Sequence, residues 1–196
     1  FLTVVREHAA AVLLVAMLGA VTNVLAYTIR GYFNVFFEDV LSYALNVAHY
    51  YTAFALIIMI VLLPLFGIIA DKVGYSKFLY IVSILIMLLV IPSFILMTDP
   101  SRSLWKVGLG ILLFSSLAAA ICAPAYPYAI QVFAPELRYS GVAVSWNLGI
   151  AIFGGSTPAI SRFLSEKVSI SAPAYYVILI CILFILASYF TRHHRR

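Results

Sequence analysis

The chain has 196 residues, of which 65% are hydrophobic and 10% charged, with a mean hydropathy of +1.11 and a formal net charge of +5. A water-soluble domain of this size cannot hide that much apolar surface, so the solvent for most of it is lipid. The 12 Lys and Arg residues are scattered between apolar runs, which excludes a nucleic-acid surface and leaves solvated or headgroup roles.

Cys122 and Cys181 both lie inside apolar runs and read as reduced packing residues, with no disulfide framework. The chain begins at Phe1, which reads as a piece of a longer polypeptide, and its first apolar run is too long for a signal-peptide core. A membrane-crossing helix needs about 20 apolar residues to cover roughly 30 Å of hydrocarbon. Six runs qualify, at 9–28, 48–70, 78–97, 107–133, 140–164 and 172–190, and continuous apolarity excludes the alternation of a barrel strand. The expected fold is an all-α membrane protein, a single bundle of six transmembrane helices over 1–196 with a basic tail at 191–196.

Six spans place both ends on one side. Arg6, Lys72, Lys77, Arg138, Arg192, Arg195 and Arg196 fall on that side, and Arg30, Arg102, Lys106, Arg162 and Lys167 on the other. The excess of bases puts both termini in the cytoplasm.

In the first run Asn23 and Tyr27 share a face at a spacing of four, and Arg30 and Asn34 continue it if the helix persists past Gly31. Such a stripe faces protein or water. It reads either as a helix–helix hydrogen bond with interfacial anchors, or as the wall of a solute cavity with Arg30 free for a carboxylate. Glu38 and Asp39 are expected in an outer loop. The second run opens on an aromatic belt, His49-Tyr50-Tyr51, and carries Pro64 one turn before its end. The third and sixth runs have few polar marks and are expected to face lipid.

The fourth run is the most broken, with Pro124 and Pro127 three apart among small residues and Tyr126 and Tyr128 flanking the second proline. It reads as a kinked packing helix or as a bending gate beside a solute path. In the fifth, Gly141, Ser145 and Gly149 recur every fourth residue, a small-residue face for close packing, with Trp146 and Asn147 beside it. Asn147 needs a partner inside a membrane. Gly154, Gly155 and Pro158 loosen the outer half of that run.

Two loops carry a family likeness. Gly67, Asp71, Lys72 and Gly74 resemble the cytoplasmic-loop signature of the major facilitator superfamily of transporters; Tyr75 and Ser76 stand where that signature has bases, and Lys77 supplies a base one step late. The stretch from Phe133 through Pro135, Glu136, Arg138 and Gly141 to Asn147, Gly149, Gly154, Gly155 and Pro158 resembles the metabolite:proton symporter branch, which contains permeases for proline and betaine, shikimate, citrate and alpha-ketoglutarate; Ala134 is one residue too many. The resemblance implies the C-terminal half, helices 7–12, of a bacterial inner-membrane transporter.

A solute site would then lie against an N-terminal six-helix half, lined mainly by the first and fourth spans, to a lesser degree by the fifth, and the two halves would rock around it. The resemblance also makes the loop of Gly67, Asp71, Lys72, Gly74 and Lys77 a conformational switch, against the simpler reading of a turn with positive charge inside. Arg30 favours a carboxylate, and Tyr27, Tyr126, Tyr128 and Trp146 suit a quaternary ammonium, so a zwitterion such as proline or betaine meets both, with a dicarboxylate open.

All seven acids fall in loops or at span ends, so a proton-carrying carboxylate is expected in the other half. An intramembrane serine protease is excluded because His8, His49, His193 and His194 are terminal or at a span edge. No enzyme, cofactor or metal site is expected, and His193-His194 makes a poor ligand pair. The rival reading is a six-helix fragment that transports nothing by itself. The expected partners are membrane lipid, a small solute, protons and the N-terminal half.

Overall fold

A computed structural model describes residues 8–193, and every regular element among them is helical. The elements are α1 (Ala9–Val40), α2 (Leu45–Val73), α3 (Tyr75–Met97), α4 (Leu104–Val132), α5 (Arg138–Gly149), α6 (Thr157–Lys167) and α7 (Pro173–His193). Five of them, α1, α2, α3, α4 and α7, are each long and apolar enough to cross a membrane. The expected run 140–164 is two helices, α5 and α6, joined through the wide turn Ile150–Gly154. There the Gly155 N–H reaches back five residues to the Ile150 carbonyl at 2.9 Å. Of the charged residues counted above, Arg6, Glu7, Arg195 and Arg196 lie outside the described residues, as does His194.

α1 runs twelve residues past the expected end at 28, so Glu38 and Asp39 sit in its last turn and not in a loop. The helix continues because Thr28–Tyr32 and Phe36–Val40 widen to bonds of the i to i+5 kind, which absorb bulk without breaking the chain. Gly31 makes room at the first of these: a Cβ there would lie 2.9 Å from the Pro158 ring. The widening also turns Asn34 away from the line of Asn23 and Tyr27. The Asn34 side-chain oxygen accepts instead from the Thr52 hydroxyl of α2 at 2.8 Å, and lies 3.2 Å from His49 Nδ1.

α1 is the centre of the bundle, packed by α5 along one side and α7 along another. α4 packs against α3 and α2, and α7 bridges to α3. Glycine sets the two tightest crossings. A Cβ on Gly149 would fall 2.2 Å from the Ala16 carbonyl oxygen of α1, and one on Gly110 of α4 would fall 2.7 Å from the Ser93 carbonyl oxygen of α3. The sixth run, α7, is therefore less lipid-facing than expected, whereas the third, α3, leaves most of its apolar stretch exposed. In α7, 50% of the most apolar stretch is buried, and in α3 39%, against 17% in α2. The absence of polar marks misled here, because in lipid a wholly apolar face packs equally well against protein or acyl chains.

The end of the bundle near Val40 is closed by aromatic rings. Phe33, Phe36, Phe37, Phe94 and Phe114 are wholly buried. Phe36 meets Phe94 at 5.4 Å, Phe94 meets Phe114 at 5.7 Å, and Phe37 meets Tyr51 at 4.9 Å between ring centres. Above them, Arg102 donates to the Leu41 carbonyl at 2.9 Å and lies 4.8 Å over the Tyr43 ring, tying the α3–α4 loop to the α1–α2 loop. Lys106, 2.9 Å from Asp99, and the Ser101 hydroxyl hold the Asp99 carboxyl below the usual aspartate range.

Candidate functional site

Between α1, α2, α4 and α5 the bundle opens into a cleft of about 300 Å³. Its polar wall comes from α1. Asn23 is half-buried and donates to the Gly19 carbonyl at 2.9 Å, which satisfies its amide locally. Gly154 lets the α5–α6 joint press behind it, since a Cβ there would meet the Asn23 Cβ at 3.0 Å. Arg30 is exposed, with its guanidinium 5.0 Å over the Tyr27 ring. Among the described residues no carboxylate pairs with it.

The opposite wall is aromatic. α4 interrupts at Ala123-Pro124, between Leu104–Cys122 and Ala125–Val132, because Pro124 has no N–H to donate. The break sets Tyr126 facing Trp146 of α5, edge-on, at 5.5 Å between ring centres. Trp146 is held where α5 crosses Gly19, whose added Cβ would lie 3.1 Å from the Trp146 carbonyl. Cys122 also lines the cleft, its thiol donating to the Thr22 carbonyl at 3.6 Å. α2 adds Leu56 and Met59, which sequence reasoning missed because they carry no polar mark.

On the far side of the same ring pair lies a second hollow of about 470 Å³, lined by Tyr126, Trp146, Asn147, Tyr139 and Arg138. Asn147 is exposed and finds its partner within its own helix, donating to the Ala143 carbonyl at 2.7 Å. The Arg138 Nε donates to the Phe133 carbonyl at 3.3 Å. Of the seven residues expected at a cavity, Asn23, Arg30, Tyr126, Trp146 and Asn147 thus border two adjoining hollows. Tyr27 touches them through Arg30. Tyr128 lines neither, because its position on α4 turns it toward the hydrophobic core.

Around the short loop between α2 and α3, Gly74 has φ +92°, a conformation that favours glycine. The Tyr75 hydroxyl donates to Asp71 at 2.6 Å, so the residue that replaces a family base binds the family acid. Lys72 and Lys77 are exposed. Gly67 has open space around it, with none of the described residues within 4 Å of an added Cβ, so no described backbone approaches it here. In the second loop Glu136 is exposed, and Gly141 accommodates the Phe133 ring, 2.7 Å from its would-be Cβ. Of the expected hinge residues, Gly149, Gly154 and Pro158 pack against α1, Pro124 breaks α4, Pro127 is exposed, and Gly155 has only its own turn nearby. Among the described residues no three His, Cys, Asp or Glu side chains form a metal-binding group.

Comparison with known proteins agrees with this architecture. The profile of the Major Facilitator Superfamily matches residues 13–196. The chain is 28% identical over 89% of its length to the ectoine/proline transporter ProP of Corynebacterium glutamicum, covering 34% of that protein. It is 29% identical over 93% of its length to a putative proline/betaine transporter of Staphylococcus haemolyticus, covering 39% of it. A third relative is the glycine betaine/proline/ectoine/pipecolic acid transporter OusA of Dickeya dadantii, 26% identical over 98% of this chain and covering 38% of the relative. The chain therefore spans well under half the length of these relatives. No solved structure matches significantly. With a family profile running over nearly all of its helices, this integral, multi-pass membrane chain belongs to the Major Facilitator Superfamily.

Proposed function

We propose that the chain is the C-terminal six-helix half of a secondary transporter that carries a small zwitterionic or carboxylate metabolite, of the proline or betaine kind, across a bacterial inner membrane. The single observation that carries this reading is the cleft: an arginine with no carboxylate partner among the described residues lines the same hollow as an edge-on Tyr126–Trp146 pair, on the side of the bundle where α2 is barely covered. A guanidinium suits a carboxylate, and aromatic faces suit an alkylated ammonium. The named substrates of the relatives are of that chemistry.

An N-terminal half closes the cleft, and rocking of the two halves exposes it to each side in turn. Both ends of this segment are cytoplasmic, with the Asp71 loop on the same side acting as the switch. Proton symport accompanies the solute, and the relay carboxylate sits in the other half. The acids within helices here support that division: Asp39 and Glu166 pair with Arg162 at 3.3 and 2.9 Å at one end of the bundle, Glu38 is beside Asp39 in the last turn of α1, and Asp71 is in the last turn of α2.

The test is uptake of labelled glycine betaine or proline by cells that produce this chain together with a matching N-terminal half. Uptake that needs both halves and falls at least about tenfold in Arg30→Gln is expected. No uptake of either solute, or of an organic-acid panel, from the paired halves returns the chain to a fragment that transports nothing.

A further inference from the structure

The two hollows differ in which arginine they hold, and the axial order of the helices decides how they are related. α1 and α5 run in the same direction, since Gly149 meets Ala16 and Ala20, Gly154 meets Asn23 and Tyr27, and Pro158 meets Gly31. Trp146 lies at the level of Gly19. Arg30 is eleven residues beyond that level on α1, about 16 Å, and Arg138 is eight residues before it on α5, about 12 Å. The Tyr126–Trp146 pair therefore stands between the backbone levels of the two arginines, about 28 Å apart along the axis, and the Arg30 Nε lies 3.4 Å from the Ala26 carbonyl, one turn back toward the pair.

Arg138 lies at the start of α5, exposed, with one long bond to a carbonyl and no carboxylate partner among the described residues. Its hollow is the larger of the two and adds the Tyr139 ring and the Asn147 amide to the shared pair. The ingredients that recommend the first cleft, a cation without a partner facing aromatic rings, are thus repeated on the other side of one partition.

We infer that the hollow at Arg138 is a second solute station, which takes the carboxylate of a small zwitterion on Arg138 and its cationic end on the Tyr126, Tyr139 and Trp146 rings, with the Tyr126–Trp146 pair dividing it from the Arg30 station. This rests on the proposed transport function.

The experiment is equilibrium dialysis of labelled glycine betaine against the transporter reassembled from its two halves, in nanodiscs of either phosphatidylcholine or phosphatidylglycerol. Two molecules bound per transporter are expected. Arg138→Gln retains one, with its Kd within about twofold of wild type, and weakens or abolishes the other by about tenfold or more. Arg30→Gln retains the complementary one, and Arg138→Lys restores two. Two molecules bound by Arg138→Gln overturn the inference, as does a loss seen only in phosphatidylglycerol, which assigns Arg138 to a lipid headgroup. Should Arg138→Gln fail to fold, Tyr139→Ala decides, with undiminished binding of two molecules counting against the station. One molecule in wild type, lost in Arg30→Gln, sinks the second station and leaves the transport reading standing. No binding by wild type sinks both.

Discussion

α1 and α2 follow one another in the chain, and the more apolar of them is the less covered. In α1, 67% of the most apolar stretch is buried; in α2, which follows it across a four-residue loop, 17% is. Apolarity puts a helix in the membrane and does not say where in the bundle it sits. What separates the two is the spacing of small residues. α1 offers Ala16, Gly19 and Ala20 to the glycine face of α5, so backbones meet without intervening side chains. α2 presents Phe54, Ile57, Ile60, Val61, Leu65, Ile68 and Ile69 outward, a ridge of bulk that the described residues leave exposed.

The comparison can be broken most sharply in the aromatic cluster at the end of α1. Phe36→Ala empties a fully buried site against Phe94 and Phe37, and about 3–5 kcal/mol of stability should be lost, visible as a collapse of folded protein in detergent. Gly149→Ala tests the crossing itself. With the Ala16 carbonyl 2.2 Å from the new methyl, α1 and α5 must separate, at a cost of about 1–3 kcal/mol and a lowered unfolding temperature. An unchanged unfolding temperature would show that the crossing is not close.

Two glycines at the end of α2 sharpen the contrast on a smaller scale. Gly74→Ala forces a side chain into φ +92° and should destabilise by about 1 kcal/mol. Gly67→Ala meets none of the described residues and should stabilise the helix by up to about 1 kcal/mol. If the same change abolishes transport in the assembled carrier, the empty space beside Gly67 is filled there by the other half. The smallest effect belongs to the exposed ridge. Ile57→Ala, at a residue 59% exposed, should alter stability in detergent by no more than about 0.5 kcal/mol. The contact between Asp99 and Lys106 adds a pH dependence. Its depressed folded pKa contributes stability above the ordinary aspartate range, and that contribution is lost as pH falls through the lowered value. Asp99→Asn should remove that acid limb from the unfolding profile by lowering the neutral-range stability to the level that the wild type reaches at acid pH.

Much of the candidate site was legible in advance because its polar and aromatic residues are costly in a membrane and so stand out. Asn23, Arg30, Tyr126 and Trp146 were such marks, and they border one cleft. Tyr128 carried the same mark and lines neither hollow, because two residues along α4 is a turn of about 200°, toward the core. Leu56, Met59 and Cys122 border the cleft with no mark at all, since their chemistry is that of any core position. Arg138 read as a loop base, and only the break in α4 brought the Tyr126 ring toward its hollow.

By itself the sequence determined that the chain lives in lipid, that it is helical, where its apolar runs lie and which superfamily its loops resemble. These follow from composition and local spacing, which lipid reads one segment at a time. Tertiary structure decided that α1 runs on to Val40 through widened turns, that 140–164 is two helices and not one, and that α7 and α3 are more buried than α2. It also decided that Tyr126 and Trp146 share one partition between two arginines. Each of those outcomes depends on which backbone a glycine or a broken turn admits, and hydropathy carries no information about a neighbour that is itself apolar.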